Sequence, residues 1–254
     1  MDLGLKGKKA FVTGASRGIG LRIARLLADE GADVGICARD GAQLASTVAE
    51  LQAKGVKAYG ARADLAGDGA DLKAAIDGAA AAFGGLDILV QNVSAMAVQM
   101  RQKDWDNSYQ IDILGTLRSV EAAMPHIEKS AAGAIVVVGT TAAISGFGGP
   151  QAYGAVKAAL LHYVSSLARQ LAPKAIRANT VSPSSVYFEG GVWHMVQQKA
   201  PKRYEETLAR NPMGRMATPE EVANAVVFLA SPAASFITGV NLIVDGGLTP
   251  RVQY

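Results

Sequence analysis

Short apolar runs alternate with longer segments of helical spacing along most of the 254 residues. This alternation is typical of a parallel sheet, because its strands are buried on both faces and each crossover between them contains a helix. The predicted strands are Lys9–Thr13, Asp33–Ala38, Lys57–Ala63, Leu86–Gln91, Ala134–Val138, Ala175–Val181 and Asn241–Val244. The predicted helices are Ile19–Glu30, Ala42–Lys54, Leu72–Phe83, Trp105–Glu128, Ala152–Leu171 and Pro219–Ala230. The expected fold class is α/β, with a doubly wound parallel sheet of about seven strands and helices on both faces.

One stretch, from residue 184 to residue 216, breaks the alternation between a strand and a helix. It is rich in large apolar side chains, among them Tyr187, Phe188, Trp193, Met195 and Tyr204. In open parallel sheets, ligands bind outside the carboxyl ends of the strands, where connecting segments carry function. We therefore expect a single domain over residues 1–254, in which residues 184–216 form a lid above a substrate pocket.

Composition and charge narrow the class of protein. Half of the residues are apolar and 19% are charged, which fits a sheet covered on both faces and excludes a disordered chain. The net charge of +3 is spread without a basic stripe, so we expect no nucleic-acid partner. The single cysteine, Cys37, excludes an internal disulfide, and residues 1–9 contain three lysines without an apolar run. We expect neither a signal peptide nor a membrane anchor, and a cytoplasmic location.

A glycine-rich turn follows the first predicted strand and opens the first predicted helix. Its residues are Thr13-Gly14-Ala15-Ser16-Arg17-Gly18-Ile19-Gly20. Glycine permits a tight turn and lets the backbone approach a phosphate closely, while a helix N-terminus attracts negative charge. The loop therefore predicts a binding site for the pyrophosphate of a dinucleotide. Glycines of an ordinary tight turn are the alternative.

A tyrosine and a lysine, Tyr153 and Lys157, are four residues apart in a predicted helix, so both side chains lie on one face. Tyrosine, with its usual pKa near ~10, is a poor base at neutral pH, and a nearby cation lowers that pKa. The pair therefore predicts an acid-base centre in which Lys157 stabilises the Tyr153 anion. The three histidines and Cys37 have no metal-ligand spacing, so we expect no catalytic metal.

The glycine loop at the front of the chain and the Tyr153/Lys157 pair beyond its middle together resemble the short-chain dehydrogenase/reductase family, over almost the whole chain. The resemblance implies a Rossmann-type fold and hydride transfer between a nicotinamide and a carbonyl carbon. It implies that Tyr153 exchanges a proton with the substrate oxygen and that Lys157 also holds the nicotinamide ribose. Thr140 stands where the family has a serine and offers the same hydroxyl donor, whereas Asp112 replaces an asparagine of the catalytic tetrad.

The resemblance also implies the cofactor contacts. Besides Tyr153 and Lys157, the expected cofactor-binding residues are Gly14, Ser16, Arg17, Gly18, Ile19, Gly20, Arg39, Asp64, Leu65, Asn92, Pro183 and Val186. An acid at the end of the second strand would repel a 2'-phosphate, but this chain has Ala38 and Arg39 there. Arg17 adds a second guanidinium, whose geometry matches a phosphate, so we expect NADP(H) as the cofactor.

Several residues depart from the family pattern. Gln91-Asn92-Val93-Ser94 replaces an Asn-Asn-Ala-Gly stretch, Ser184 follows Pro183 in place of glycine, and Phe188 stands where a threonine often meets the nicotinamide amide. For Asp112 two arrangements are open. Its carboxylate either points away, so that only the backbone carbonyl holds a relay water, or pairs with Lys157. We favour the first, because a carboxylate beside Tyr153 would raise the free-energy cost of the phenolate.

Together these patterns predict an NADP(H)-dependent oxidoreductase that interconverts a secondary alcohol and a ketone, with Tyr153 as acid and base. A 3-ketoacyl-thioester reductase is the alternative among enzymes, and a non-catalytic dinucleotide-binding regulator is the alternative of another class. The expected partners are a small carbonyl or alcohol substrate, hydrophobic or mildly anionic, and further copies of the chain. Alanine-rich segments at 117–123 and 155–172 could pack closely between subunits of a homodimer or homotetramer.

Overall fold

The structure is a computed structural model that describes residues 2–146 and 149–250. Within them one seven-stranded parallel sheet has the strand order β3-β2-β1-β4-β5-β6-β7, which confirms the predicted fold class. The strands are β1 Lys9–Thr13, β2 Asp33–Ala38, β3 Ala58–Arg62, β4 Ile88–Gln91, β5 Ala134–Val138, β6 Arg177–Pro183 and β7 Asn241–Val244. The strand order reverses between β1 and β4. At such a point a ligand-binding crevice opens at the carboxyl ends of the strands.

Helices cover both faces of the sheet. They are α1 Gly18–Asp29, α2 Gly41–Gln52, α3 Ala70–Phe83, α4 Gln102–Ser108, α5 Gly115–Ile127, α6 Ala152–Leu171, α7 Val192–Lys199, α8 Pro201–Arg210 and α9 Pro219–Ala230. Buried side chains of α1, α2 and α9 form one apolar core with the sheet, and those of α3, α5 and α6 form a second core on the opposite face. None of the described helices is long and apolar enough to cross a membrane.

Side chains of the central strands alternate between these two cores. In β1, Val12 packs toward α1 and α9, whereas Phe11 packs toward α3 and α5; in β4, Val90 and Leu89 divide in the same way. All four side chains are fully buried. Burial on both faces is why these strands read as continuous apolar runs in the sequence, and each such side chain contributes roughly 1.5–3 kcal/mol.

Several elements differ from their predicted limits, and two of the differences have identifiable reasons. Strand β6 begins at Arg177, two residues late, because Ala175 adopts a left-handed φ of 56° that ends the preceding turn. The single helix predicted over Trp105–Glu128 is interrupted by a π-helical segment, Tyr109–Leu114, between α4 and α5. A π turn inserts extra backbone into a helix and re-aims its side chains, and such turns are frequent at functional sites.

Candidate active site

The loop between β1 and α1 turns tightly and closes on itself. Gly14 and Gly18 have positive φ angles of 65° and 56°, which L side chains rarely adopt. A Cβ on Gly20 would lie 2.4 Å from the Gly14 carbonyl oxygen, so a side chain there would collide with the loop. No described side chain caps the N-terminus of α1, and its first turn contains no acid. The first N–H groups of α1 are therefore available to an anion, close to Ser16 in the loop and Ile19 in the first turn.

Asn92 fastens this glycine loop to the end of β4. Its side-chain amide donates hydrogen bonds to the carbonyl oxygens of Thr13 (3.1 Å) and Gly14 (3.2 Å), and its backbone N–H donates to Thr13 Oγ1 (2.9 Å). Both kinds of donor are thus used inside the protein. Asn92 shapes the loop, and only its acceptor oxygens remain for a ligand.

Gln91 organises the buried part of the same loop, a function that the sequence analysis did not assign to it. Its Oε1 accepts hydrogen bonds from Thr13 Oγ1 (2.8 Å) and from Ser119 Oγ (3.0 Å) of α5. Its buried Nε2 has no hydrogen-bond partner among the described residues. The signal in the sequence was a polar residue at the end of a buried strand, because such a residue must find partners where the strand meets its neighbours.

Tyr153 and Thr140 come together beyond the end of β5. Tyr153 lies in the first turn of α6, and its hydroxyl is hydrogen-bonded to the Thr140 side chain. Thr140 Oγ1 also accepts from the Ala142 N–H (3.2 Å), which holds the threonine at the start of a short 3-10 turn. A Cβ on Gly154 would lie 2.7 Å from the Ala142 carbonyl oxygen, so the glycine lets α6 approach this turn closely.

Lys157 is buried one turn further along α6. Its Nζ donates to the Val138 carbonyl oxygen at the end of β5 (3.0 Å) and lies 3.3 Å from Asp112 Oδ1. Asp112 is fully buried in the π-helical segment, and its Oδ2 accepts from the Ala95 N–H (3.2 Å). The prediction that the Asp112 carboxylate points away from Lys157 is therefore wrong. A buried ammonium is stable only with a counter-charge beside it, and the carboxylate supplies that charge.

The Asp112 backbone carbonyl also has a partner inside the protein. It accepts a hydrogen bond from Thr116 Oγ1 at 2.6 Å, so one of its two lone pairs is already occupied. The contact between Asp112 Oδ1 and Lys157 Nζ is an ion pair without a well-directed hydrogen bond. Asp112 thus acts on its surroundings chiefly through the charge of its carboxylate.

The electrostatic environment raises the pKa of Tyr153 to about 12. Burial of the phenol is the largest cause, the Asp112 carboxylate adds to it, and the hydrogen bond with Thr140 opposes it. The expectation that Lys157 lowers this pKa is not met in the unliganded protein. The main physical reason is burial of the phenol, and the Asp112 carboxylate, 3.3 Å from Lys157 Nζ, acts against the lysine charge.

The predicted adenosine contacts lie at the carboxyl ends of β2 and β3. Arg17 and Arg39 are exposed, and neither forms an ion pair within the described residues. Asp64 is exposed and its Oδ1 accepts from the Ala66 N–H (3.1 Å), whereas Leu65 is buried. The glycine loop that contains Arg17 is joined to β2, because the N–H groups of Gly14 and Ala15 both donate to the carbonyl oxygen of Cys37.

The segment after β6 reaches the glycine loop from the other side. Pro183 is buried at the end of β6, and Val186 is buried and pairs with Ala217 through an isolated β-bridge. The Phe188 ring covers Gly18, where a Cβ would meet the ring carbon Cζ at 2.7 Å. The structure therefore brings Phe188 directly to the start of α1.

Two helices, α7 and α8, occupy most of the stretch predicted to be a lid. Tyr187 Oη donates to Gln197 Oε1 (2.7 Å), and the Tyr187 ring meets the rings of His194 and Tyr204 edge-on at 6.1 and 6.0 Å. His194 Nδ1 accepts from the Gly190 N–H (2.9 Å). These contacts tie the segment after β6 to both helices.

Comparisons with known proteins extend over nearly the whole chain. A family model described as enoyl-(acyl carrier protein) reductase matches residues 14–249. The isoepoxydon dehydrogenase patN of Penicillium expansum is 36% identical over 100% of this chain and 99% of its own length. The 3-oxoacyl-(acyl-carrier-protein) reductase FabG of Staphylococcus aureus is 33% identical over 95% of this chain and 98% of its own.

Two solved structures also match nearly the whole chain. L-sorbose reductase from Gluconobacter frateurii, crystallised with NADPH and L-sorbose, superposes with a TM-score of 0.91 at 28% identity and covers 99% of this chain and 100% of its own. A blue fluorescent protein from a metagenomic library, in complex with NADPH, has a TM-score of 0.86 at 31% identity over 97% of this chain and 99% of its own. The fold is therefore shared with proteins that bind NADPH, one of them a reductase.

Proposed function

This chain belongs to the short-chain dehydrogenase/reductase family, and we propose that it is an NADP(H)-dependent oxidoreductase that interconverts a secondary alcohol and a ketone. The observation that carries the proposal is the convergence of Tyr153, Thr140 and Lys157 at the carboxyl end of β5. The named relatives are dehydrogenases and reductases, which argues against a non-catalytic regulator.

The residues present fit a dinucleotide that carries a 2'-phosphate. The loop at Gly14 and Gly20 leaves no room for side chains, and the N-terminus of α1 is uncapped, as a pyrophosphate site requires. Arg17 and Arg39 are free to face the 2'-phosphate, whose oxygens a planar guanidinium can bind two at a time. The residues that would hold the rest of the cofactor are Ser16, Gly18, Ile19, Asp64, Leu65, Asn92, Tyr153, Lys157, Pro183 and Val186. When bound, the nicotinamide supplies or accepts the hydride.

Tyr153 moves the proton at the substrate oxygen. With its pKa near 12 the phenol keeps its proton at neutral pH, and it can donate that proton to an alkoxide, which is a stronger base. The Thr140 hydroxyl, which accepts from the Ala142 N–H, turns its single O–H from Tyr153 to the same oxygen and so provides a second hydrogen bond.

Lys157 and Asp112 keep one cation in a fixed place beside Tyr153. The ammonium has three N–H donors, one of which is used by the Val138 carbonyl and one of which faces Asp112. The third remains for the cofactor ribose or for a water next to Tyr153. Asp112 is thus proposed as a positioning residue, whereas Tyr153, Thr140 and Lys157 are catalytic.

The test is direct. Purified protein is mixed with NADPH and a panel of carbonyl compounds, and the loss of reduced-cofactor absorbance is followed. Simple ketones are expected to be reduced, and Tyr153→Phe is the matched inactive control. A 3-ketoacyl thioester and an enoyl thioester form separate arms, because the FabG relative and the matching family model carry those names. Tight NADPH binding with no carbonyl turnover in any arm would overturn the proposal.

Three further features belong to the proposal. Residues 184–216, which include α7 and α8, act as the lid over the substrate pocket. The protein is a homodimer or homotetramer, and its location is cytoplasmic. Helix α5 exposes Leu117 and helix α6 exposes Ala155 and Ala159, which supports close packing between copies. Light scattering after size exclusion measures the oligomer directly, and a monomer at micromolar concentration would contradict that part.

A further inference from the structure

Arg62 is a basic residue at the candidate cofactor site that no motif in the sequence indicated. It is the last residue of β3, the edge strand of the sheet, and it pairs in register with Ala38 at the end of β2. The next residue along β2 is Arg39. The two arginines therefore leave neighbouring strands at the same carboxyl edge.

The Arg62 side chain lies across the start of α2. Its Nε donates a hydrogen bond to the Arg39 carbonyl oxygen (3.1 Å), and its Cδ lies 3.5 Å from the place that a Cβ on Gly41 would occupy. A single N–H of the guanidinium is used, and this contact holds the backbone of Arg39. The remaining four N–H groups, on Nη1 and Nη2, have no hydrogen-bond partner within the described residues.

The charges around Arg62 leave it without a carboxylate. Elsewhere in the described chain Arg22, Arg25, Arg101 and Arg215 are each paired with an acid. Asp40, next to Arg39, and Asp64, two residues after Arg62, each accept from backbone donors: Asp40 from the N–H groups of Ala42 and Gln43, and Asp64 from that of Ala66. Arg17, Arg39 and Arg62 are all exposed and unpaired, so this edge carries an excess of positive charge.

We propose that Arg62 is a specificity-determining residue for the 2'-phosphate of NADP(H), which it binds through Nη1 and Nη2 while its Nε positions Arg39. The inference rests on the proposed use of NADP(H). A phosphate monoester carries roughly −1.5 to −2 charge at neutral pH, which matches several guanidinium groups better than one. A ribose 2'-hydroxyl can accept a hydrogen bond but gives these cations no counter-charge, so Arg62 distinguishes the two dinucleotides.

The experiment measures dissociation constants of NADPH and NADH by fluorescence titration for the unaltered protein, Arg62→Ala and Arg62→Lys. Arg62→Ala is expected to weaken NADPH binding by about 10-fold or more and to change NADH binding by less than about 2-fold, since it removes the phosphate contact and the support of Arg39, which faces the same phosphate. Arg62→Lys keeps the charge and loses the fork, so an intermediate loss of about 3-fold is expected. Binding of 2',5'-ADP should follow the same order.

Arg169→Ala is the matched control, because Arg169 is also exposed but lies in the last turn of α6. It removes the same charge and should leave both dissociation constants unchanged. Equal weakening of NADPH and NADH in Arg62→Ala would overturn the inference and make Arg62 a purely structural residue. Unchanged NADPH binding in that variant would overturn it as well. A protein that binds NADH and NADPH equally before any substitution would instead contradict the proposed function itself.

Discussion

The cofactor end and the catalytic end of this site lie at the same edge of the sheet but treat charge in opposite ways. At the cofactor end Arg17, Arg39 and Arg62 are exposed and unpaired within the described chain. At the catalytic end Lys157 is buried, and its ammonium lies 3.3 Å from the Asp112 carboxylate. An exposed cation remains hydrated until a ligand binds, whereas a buried one needs its counter-charge inside the fold.

This difference determines how each end responds to substitution. The arginines share one phosphate, and Arg62 also holds the backbone of Arg39, so changing one of them alters cofactor affinity without disturbing the groups that transfer the proton. At the catalytic end Tyr153, Thr140, Lys157 and Asp112 share hydrogen bonds or charges, and the effects of substitutions there will not add. Mutations that change cofactor binding but not proton transfer, or the reverse, therefore test this difference between the two ends.

The largest effect is expected for Tyr153→Phe. Removal of the hydroxyl abolishes proton transfer, so turnover should fall by roughly 10²- to 10⁴-fold while the dissociation constant of NADPH changes little. Steady-state rates and cofactor titration provide the two readouts. Tyr163→Phe is the control, since this half-buried tyrosine lies on the same helix but forms no part of the site. Full turnover in Tyr153→Phe would remove the central residue of the mechanism.

Thr140→Ala should cost about 10²-fold in turnover, because a hydroxyl that donates to the developing oxyanion is worth roughly that much. Thr140→Ser keeps the donor and should stay within a few-fold of the unaltered enzyme. Loss of the hydrogen bond from Thr140 should also raise the pKa of Tyr153 further, since that bond now opposes the effect of burial. Near-normal rates in the alanine variant would reduce Thr140 to a structural residue.

Arg39→Asp should reverse the cofactor preference. NADPH is expected to bind the unaltered protein at least ~10-fold tighter than NADH, and an acid at this position repels the 2'-phosphate and accepts a hydrogen bond from a ribose hydroxyl. Turnover with the better cofactor should remain, because the Tyr153 site is untouched. Arg169→Asp on α6 controls for the charge change. Equal affinities in the unaltered protein would refute the arginine argument.

The cofactor end could be predicted in most respects from the sequence. Its conformation depends on glycines at fixed intervals between a strand and a helix, and such backbone requirements are local and visible as residue types. Gly20 is an example, because a Cβ there would lie 2.4 Å from the Gly14 carbonyl oxygen, and this conflict follows from the turn itself. Arg62 was not predicted, because its proposed role depends on the strand register between β2 and β3, which brings it beside Arg39.

The catalytic end was less predictable for a physical reason. Tyr153 and Lys157 follow from helical spacing, but the direction of the Asp112 side chain depends on the π turn between α4 and α5. The periodicity of the sequence predicted one continuous helix there. A π turn leaves no clear trace in an apolar pattern, because it shifts the faces of a helix without ending it.

Among the catalytic-end variants, Asp112→Asn is expected to change the rate least, and it tests directly how this end of the site treats charge. The ionised Asp112 carboxylate disfavours the Tyr153 phenolate by charge repulsion, in addition to the larger effect of burial. Replacing this carboxylate with an amide removes that repulsion and lets Lys157 act unopposed, so the pKa of Tyr153 should fall from about 12. Ketone reduction needs the protonated phenol and is lost as pH rises through this pKa. The alkaline limb of the pH-rate profile should therefore move to lower pH by about one unit or more, with the rate at neutral pH within ~10-fold.

Asp29→Asn provides the matched control, because Asp29 is an acid at the end of α1 whose surface ion pair with Lys54 is remote from Tyr153. It should leave the profile unchanged. Circular dichroism of the Asp112→Asn protein checks the fold, since the buried Lys157 ammonium loses its counter-charge and retains only the Val138 carbonyl and the new amide oxygen as acceptors. A profile that coincides with that of the unaltered enzyme, in a correctly folded variant, would show that the carboxylate does not act on Tyr153. The Asp112 carboxylate would then serve only as the counter-charge of the buried Lys157 ammonium.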